Sequence, residues 1–528
     1  MRRAFVILIV VLSLLAGALA LVAWFPLREA RAQWRAGKYA DAIATAREGA
    51  RLRLWPRQYR QLLAAAHLAV GKRAEAEPHL RALRGRTLWI SALDKPEVAR
   101  RLSYENYLVY DAAVDGDAPL ERATAQLALH RIGDAEATLR TIDRTDVDAK
   151  KLAAVTSAIA QRRSGRFPFI FDRDGKAIGA YDIVKRDVVA LDRDFEALVE
   201  TLEAKRIGTS DRLELTLDRE IQRAAVSALG TLRASLVAID PRTNEVLAVA
   251  SSGPDPLEQH YEPGSVIKVL TVLAALANAV DVDARFPYDC DGVLPIDGRR
   301  FGDWRRGGHG TLADLDEALA QSCNVVFADI GLRTGTERLR AFHRRAGFDG
   351  ETNLGLFRIP LGRTVGEIFN RFETAFYSIG LEHETVTTFH LAMLASMLAN
   401  RGALTTPRVF TARRSIAGEV VQRPPRPATD QLAPRAAAQR TVAAMRAVVT
   451  RPRGTGRRAA VDGVTLAVKT GTSGSEEDGF DAVLLGFAPA ESPKIAFALI
   501  AENAGSAELA GAAIAKAFVE GVRRAGHL

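Results

Sequence analysis

Strand-like sequence occurs at two distant places in this chain, and that separation limits the folds open to it. Ser235–Ile239 and Val246–Ala250 are short apolar runs joined by Asp240-Pro-Arg-Thr-Asn-Glu245, the pattern of a β-hairpin. Three further runs, Val464–Val468, Ala482–Phe487 and Ile495–Ile500, come only near the C-terminus. From Ser265 to about Asn400 the composition is helical, and Arg401 to Arg435 is loop-rich and studded with Pro and Arg. A helix from about Ala507 to Val522 closes the chain, with Leu509, Ile514, Phe518 and Val522 available to face a sheet. A hairpin and a later group of three strands, with helices between and after, predict one antiparallel sheet completed from both ends and covered by helices. The fold class expected is α+β, in a multidomain chain.

A length of 528 residues exceeds one ordinary domain. Met1-Arg2-Arg3 precedes an uncharged run from Ala4 to Phe25, close to the ~20 residues that span a bilayer. The leading arginines and Trp24 orient that run with its tail in the cytoplasm and the remainder outside. Ala18-Leu19-Ala20 resembles a signal-peptidase site, but the apolar run is longer than a typical signal core, which favours an uncleaved anchor over residues 1–26. Residues 27–163 read as all-helical. Gly37-Lys-Tyr-Ala-Asp-Ala-Ile43 and Gly71-Lys-Arg-Ala-Glu75 lie in two similar segments whose glycines are 34 residues apart, the tetratricopeptide period. A third, out-of-phase unit spans Leu127 to Leu139. Residues 164–211, with Phe167-Pro-Phe-Ile-Phe171 and the turn Asp174-Gly175, form a β-rich connector, and 212–528 form the largest domain.

The net charge of +9 raises nucleic acid as a partner. The arginines are scattered along Ala-rich helical faces, and no recognition motif or aromatic-basic platform accompanies them, so nucleic acid is set aside. Cys290 and Cys323 are the only cysteines, so disulfides do not build the fold, and whether these two pair is left open. No His/Cys/Asp/Glu cluster at zinc spacing and no phosphate loop are found, and no cofactor is expected.

Three polar motifs stand in the largest domain. Tyr261-Glu-Pro-Gly-Ser265-Val-Ile-Lys268 runs into an apolar helical stretch, placing Ser265 at a helix N-terminus and Lys268 one turn on, on the same face. Ser322-Cys323-Asn324 follows a helical segment, and Lys469-Thr470-Gly471-Thr472 continues a strand. A serine attacks a carbonyl only when a neighbour takes its proton, and an amine one turn away meets that need. Taken singly, Ser265 reads as an N-cap, Lys268 as a solvated helix lysine, Asn324 as a turn residue and Lys469 as an edge-strand guard.

In that order the motifs resemble the transpeptidase domain of penicillin-binding proteins, of the high-molecular-mass class without a glycosyltransferase domain. The resemblance runs from about Arg212 to the C-terminus and includes Thr216–Ala225, Ala238–Ala248, His309-Gly310, Ser378-Ile-Gly-Leu381 and Gly486-Phe-Ala-Pro489. It implies the penicillin-binding fold and a periplasmic, membrane-anchored peptidoglycan D,D-transpeptidase that acylates Ser265 with a stem peptide and is inhibited covalently by β-lactams. Lys268 is then the base, held neutral well below the ~10.4 of a free lysine by burial and by Lys469 as a second cation. Ser322 relays a proton, Asn324 suits the substrate amide, and Lys469, Thr470, Gly471 and Thr472 receive a terminal carboxylate. The resemblance also assigns the oxyanion hole to the backbone N–H groups of Ser265 and Thr472. Partners expected are stem peptides, β-lactams and, through the helical repeats, other cell-wall synthesis proteins.

The chain departs from the family at several points. Ile267 replaces a common phenylalanine, Cys323 an aspartate, and Ser473-Gly-Ser-Glu-Glu477 is acidic. The family's pedestal is reduced to the connector. Alternatives are a D,D-carboxypeptidase or β-lactam hydrolase, with water as acceptor, and a catalytically silent scaffold. The absence of a Glu-x-x-Leu-Asn deacylation motif weighs against the hydrolases, and the three intact motifs weigh against the scaffold. His309 reads as support for a turn, and a His383-based triad is unnecessary beside Lys268.

Overall fold

The computed structural model describes residues 25–528 apart from 34–37, 52–55, 71–74, 77, 80–86, 93–94, 104–118, 129–131, 144–146, 183–184, 186, 205–210, 369, 417, 419, 476 and 478. The expected anchor lies outside the described residues except for its last two. Among the described residues no helix is long and apolar enough to cross a membrane.

Helices Tyr39–Ala50 and Pro56–Ala69 pack on Leu27, Ile43, Tyr59 and Leu63 in a small core of their own. The second tetratricopeptide-like segment lies partly outside the described residues. An antiparallel hairpin, Thr87–Ala92 with Lys95–Ser103, replaces the helix expected there. Thr87-Leu-Trp-Ile is a β-branched and aromatic run, a local preference that the Ala-rich surroundings mask when composition is averaged. Helices Pro119–Ala128, Ile132–Arg140 and Ala149–Arg163 then enclose a second core around Leu120, Leu127 and Val155.

The connector joins the domain after it in one six-stranded sheet. Its strands Arg166–Phe171, Ala177–Asp182 and Asp187–Ala190 continue through Arg212–Leu215 to Phe410–Arg414 and Val420–Gln422. The expected boundary between residues 211 and 212 is therefore crossed by strand pairing, and the stretch read as loop contributes two of the six strands. Buried Asp172 locks the junction: its carboxylate accepts from Arg219 Nε at 3.0 Å, Asp174 N at 3.1 Å and Lys176 N at 2.8 Å.

The central sheet has five antiparallel strands. In chain order these are β1 (Ala234–Asp240), β2 (Glu245–Ser251), β3 (Ala467–Ser475), β4 (Gly479–Ala488) and β5 (Ile495–Ala501). Their spatial order is β3-β4-β5-β1-β2, so the N-terminal hairpin completes the C-terminal strands as expected. Every residue of β1 and β5 is buried, which requires cover on both faces. Helix α1 (Arg219–Leu229) is capped by Asp218, which accepts from Glu220 N and Ile221 N. It lies beside the closing helix Ala512–Arg524, whose Phe518 meets Phe497 of β5 edge-on at 5.2 Å. Helix Thr388–Ala399, capped by Thr387, packs on β5 and β1.

The closing helix starts later than expected. Ala507–Gly511 is a π-helical turn, and Leu509, expected to face the sheet, is 52% exposed, whereas Ile514, Phe518 and Val522 are buried. The π turn, following Gly505, shifts the first residues out of the register of the helix behind them. The helical region 265–400 is also interrupted by small hairpins, Val293–Ile296 with Arg299–Gly302 and Glu351–Asn353 with Arg358–Pro360. Replacing Asp172 by Ala strips two backbone amides of their acceptor and leaves the Arg219 guanidinium with Asp192 as its remaining carboxylate. It should lower stability by about 2 kcal/mol, seen as a melting temperature several degrees lower by calorimetry.

Candidate active site

Ser265 lies in a 3₁₀ turn, Gly264–Ile267, that leads directly into helix α2 (Lys268–Ala277). The turn is held from two sides. Tyr261 exchanges backbone hydrogen bonds with Val386 at 2.9 and 2.8 Å, and Gly264 N donates to Gly380 O at 2.9 Å. On the other side it is pressed against β3. Gly264 has φ +55°, and a Cβ there would lie 2.7 Å from Thr472 O. A Cβ on Gly471 would lie 2.6 Å from Pro263 O. Only glycine at both positions lets the two backbones approach this closely. As a result Ser265 sits beside Gly471 and Thr472, residues some two hundred positions away in sequence.

The second motif joins helix α3 (Leu315–Ala320) to helix α4 (Asn324–Thr334). Ser322 takes φ +56°, a left-handed conformation uncommon outside glycine, and its hydroxyl is turned to the two lysines. The Asp303 carboxylate accepts from Asn324 N at 2.7 Å and Val325 N at 3.3 Å, satisfying the first amides of α4. His309 Nε2 lies 3.1 Å from the same carboxylate.

Lys268 is fully buried. Its Nζ lies 2.7 Å from Ser322 O, 2.6 Å from Asn324 Oδ1 and 3.3 Å from Ser322 Oγ. Lys469 Nζ, equally buried, donates to Ser322 Oγ at 2.9 Å and Thr470 O at 2.7 Å. The Ser322 hydroxyl therefore bridges two amines. Burial lowers the pKa of Lys268 to about 8, against the opposing pull of Asp303 and of Cys323. Lys469 is pushed well down, first by burial and then by the charge of Lys268. A neutral Lys268 can donate its two hydrogens to Ser322 O and Asn324 Oδ1 and keep its lone pair for a hydroxyl proton. Burial pushes Asp303 up, but the bonds from His309 and Arg305 N and the charge of Lys268 outweigh it and leave its pKa at about 2.

The fold thus brings together every residue singled out by the motifs: Ser265, Lys268, Ser322, Asn324, Lys469, Thr470, Gly471 and Thr472. One relation differs from expectation. Lys268 directs its hydrogen bonds to Ser322 and Asn324 rather than to Ser265. Motif reading did not single out Asp303 and Trp304, whose indole Nε1 donates to Ser322 O at 3.2 Å. Their only signal in the sequence is proximity to His309-Gly310. β3 is an outer strand of the central sheet, so its free edge beyond Lys469–Thr472 can accept an extended peptide.

Cys290 and Cys323 are free thiols with Sγ atoms 3.5 Å apart. The Cys323 hydrogen bond lowers the pKa of Cys290 to about 6 against burial, and burial raises Cys323. With Asp303 they place three ligand atoms within 4.8 Å of one another, a donor set of the kind that holds zinc. The three residues stand at none of the spacings of a zinc motif in the sequence, and only the fold gathers them.

With Lys268 as the base for a Ser265 nucleophile, the pH dependence of acylation is set by Lys268. The rate should rise with pH through about 8 and level off above it, measured with a fluorescent penicillin. Gly264→Ala should slow acylation at least tenfold by fluorescent-penicillin labelling and also lower the melting temperature, because the added methyl displaces the Ser265 turn from β3 and is strained at positive φ.

Residues 234–521 match the family model described as penicillin binding protein transpeptidase domain. The chain is 28% identical over 352 residues to stage V sporulation protein D of Bacillus subtilis, covering 59% of this chain and 53% of that protein. It is 29% identical over 345 residues to peptidoglycan D,D-transpeptidase MrdA of Acinetobacter baumannii, covering 55% and 51%. The chain thus spans about half the length of these relatives. Among solved structures, the D,D-transpeptidase domain of a peptidoglycan glycosyltransferase from Eggerthella lenta superposes with a TM-score of 0.58 at 23% identity, over 69% of this chain and all of that one. The penicillin G acyl-enzyme complex of penicillin-binding protein A from M. tuberculosis gives 0.57 at 21%, over 68% and 99%. These two likenesses establish a shared fold.

Proposed function

The chain belongs to the penicillin-binding protein transpeptidase family, and from that premise we propose that it is a peptidoglycan D,D-transpeptidase with Ser265 as its nucleophile. The observation that carries this reading is the buried bridge Lys268–Ser322–Lys469, which places two depressed-pKa amines and a relay hydroxyl beside the serine turn. Ser265 Oγ attacks the carbonyl between the last two D-alanines of a stem peptide, and its proton passes to Lys268. The tetrahedral oxyanion is received by the backbone N–H groups of Ser265 and Thr472, donors of a kind typically worth ~3–4 kcal/mol in the transition state. Collapse breaks the peptide bond, and Ser322 passes a proton to the departing D-alanine amine. The amine of a second stem peptide then attacks the ester, returns a proton to the relay and frees Ser265.

Lys469 has a second part. Two amines sharing one buried hydroxyl cannot both carry charge without a compensating anion. A substrate carboxylate arriving at Thr470 and Thr472 supplies that anion, so binding draws the proton to Lys469 and frees the lone pair of Lys268. β-Lactams carry the same carboxylate beside a reactive carbonyl and acylate Ser265 in the same way. Asn324 holds the substrate amide, and the free edge of β3 carries the extended stem.

The uncharged run before residue 26 would tether the catalytic domain outside the cytoplasmic membrane, and the region 27–163, with its helices and hairpin, would face other cell-wall synthesis proteins. Ser265→Ala should abolish covalent labelling by a fluorescent penicillin and formation of stem-peptide dimers, with the melting temperature retained. Persistent labelling would refute the assignment. Labelling followed by rapid release of the adduct would favour a hydrolase.

A further inference from the structure

A cavity of about 550 Å³ opens beside the catalytic motifs, and its charge is one-sided. Arg305, Arg453, Arg457 and Arg458 line it, against the single carboxylate of Glu508. All four arginines are exposed, and none of them is held in an ion pair among the described residues. Neighbouring arginines of the same domain are neutralised: Arg451 pairs with Asp314 at 2.9 Å, Arg446 with Glu491 at 2.8 Å and Arg440 with Asp283 at 3.1 Å. Four uncompensated guanidiniums around one concavity raise the local concentration of anions and suit carboxylates, to which arginine binds in a two-pronged fashion.

The cavity's walls touch the reaction centre on the side of Ser322 and Thr470. Trp304 lies in its lining and donates to Ser322 O at 3.2 Å, and Thr455, also in the lining, shares a 2.6 Å hydrogen bond with the Thr470 hydroxyl. In the functional reading above, Thr470 receives the carboxylate of the departing D-alanine. An acceptor amine must attack the acyl-enzyme from the side that the leaving group vacates, so this cavity lies where the acceptor enters.

We propose that this cavity is the acceptor subsite, and that it selects an amine donor bearing a free carboxylate over the same donor as its amide. The inference rests on the transpeptidase reading and adds to it the chemistry of the second substrate. In the transfer step the acceptor amine forms an amide with the acyl carbon, the ester bond to Ser265 Oγ breaks, and the amine proton returns to that oxygen through the lysine relay. The arginines take no part in bond making. They hold the acceptor's carboxylate while the amine reaches the ester.

The test uses the full chain, a donor peptide ending in D-Ala-D-Ala, and D-alanine or D-alaninamide as acceptor. The wild type should transfer to the free acid in preference to the amide by about tenfold more than Arg453→Gln/Arg458→Gln does, and Arg305→Gln should narrow the ratio as well. Comparing one ratio across variants cancels the different basicities of the two amines. The preference should shrink between about 0.05 and about 0.5 M salt, as charge pairing at an exposed site does. An acid-to-amide ratio equal in wild type and variants, and insensitive to salt, overturns the subsite while leaving the transpeptidase reading intact. A second arm needs no turnover: calorimetric titration of Ser265→Ala with stem peptides carrying a free or amidated carboxylate beside the amine. Tighter binding of the free acid that disappears in the Arg453→Gln/Arg458→Gln background supports the subsite even if the wild type transfers to neither acceptor, a result that would count against the reaction alone.

Discussion

The hydroxyl of Ser322, held between Lys268 and Lys469 in a fully buried pocket, is the interaction on which the rest of the site depends. Each amine alone could keep its proton by finding a carboxylate, but Asp303 is the nearby acid and its oxygens are already engaged by the first amides of α4, by His309 and by Arg305 N. Burial therefore decides, and it favours the neutral amines. With its pKa lowered to about 8, Lys268 is neutral in an appreciable fraction of molecules near physiological pH and then has a lone pair to accept the proton of a serine, which an ordinary exposed lysine lacks. The same burial explains why, in the proposed reaction, a substrate carboxylate must accompany a second positive charge. The pocket contains too little negative charge of its own to support two cations.

That pocket exists only because three distant segments meet with unusually small separations. Glycine at 264 and 471 lets the serine turn touch β3, and the left-handed backbone at Ser322 turns its hydroxyl inward from the end of α3. The central sheet supplies the rigidity. With β5 and β1 buried on both faces, β3 is fixed at one side of the sheet, and its free edge, next to the catalytic motifs, is where an extended chain can add. The carboxylate of Asp303 fixes the fourth element by satisfying the amides that open α4, and so sets where Asn324 stands relative to Lys268.

Much of this was legible in the sequence because the reacting residues fall in compact motifs, and motif spacing survives folding. The order hairpin, helices, three strands already required a sheet closed from both ends. What the sequence concealed depends on contacts between remote positions. Asp303 resembles any loop aspartate until the fold sets it under α4. Whether Cys290 and Cys323 meet is open in the sequence, and the fold answers it by bringing their sulfurs to 3.5 Å as free thiols. The strands at Phe410–Arg414 and Val420–Gln422 lie in a Pro- and Arg-rich stretch whose composition indicates loop, and pairing with Arg212–Leu215 overrides it. Leu509 was misplaced because a helical period was carried back across a π turn, where the register breaks. The cationic cavity is invisible in sequence for the same reason as Asp303: Arg305 and Arg453 are separated by nearly half of the domain.

The central claim is that Lys268 is neutral in the resting enzyme at a pH where a free lysine is charged. The most direct test is an NMR titration of the lysine side chains labelled at Cε, with the Lys268 signal assigned by its loss in Lys268→Arg. A midpoint near 8 for that signal is the predicted result. A midpoint near the ~10.4 of a free lysine would contradict the account.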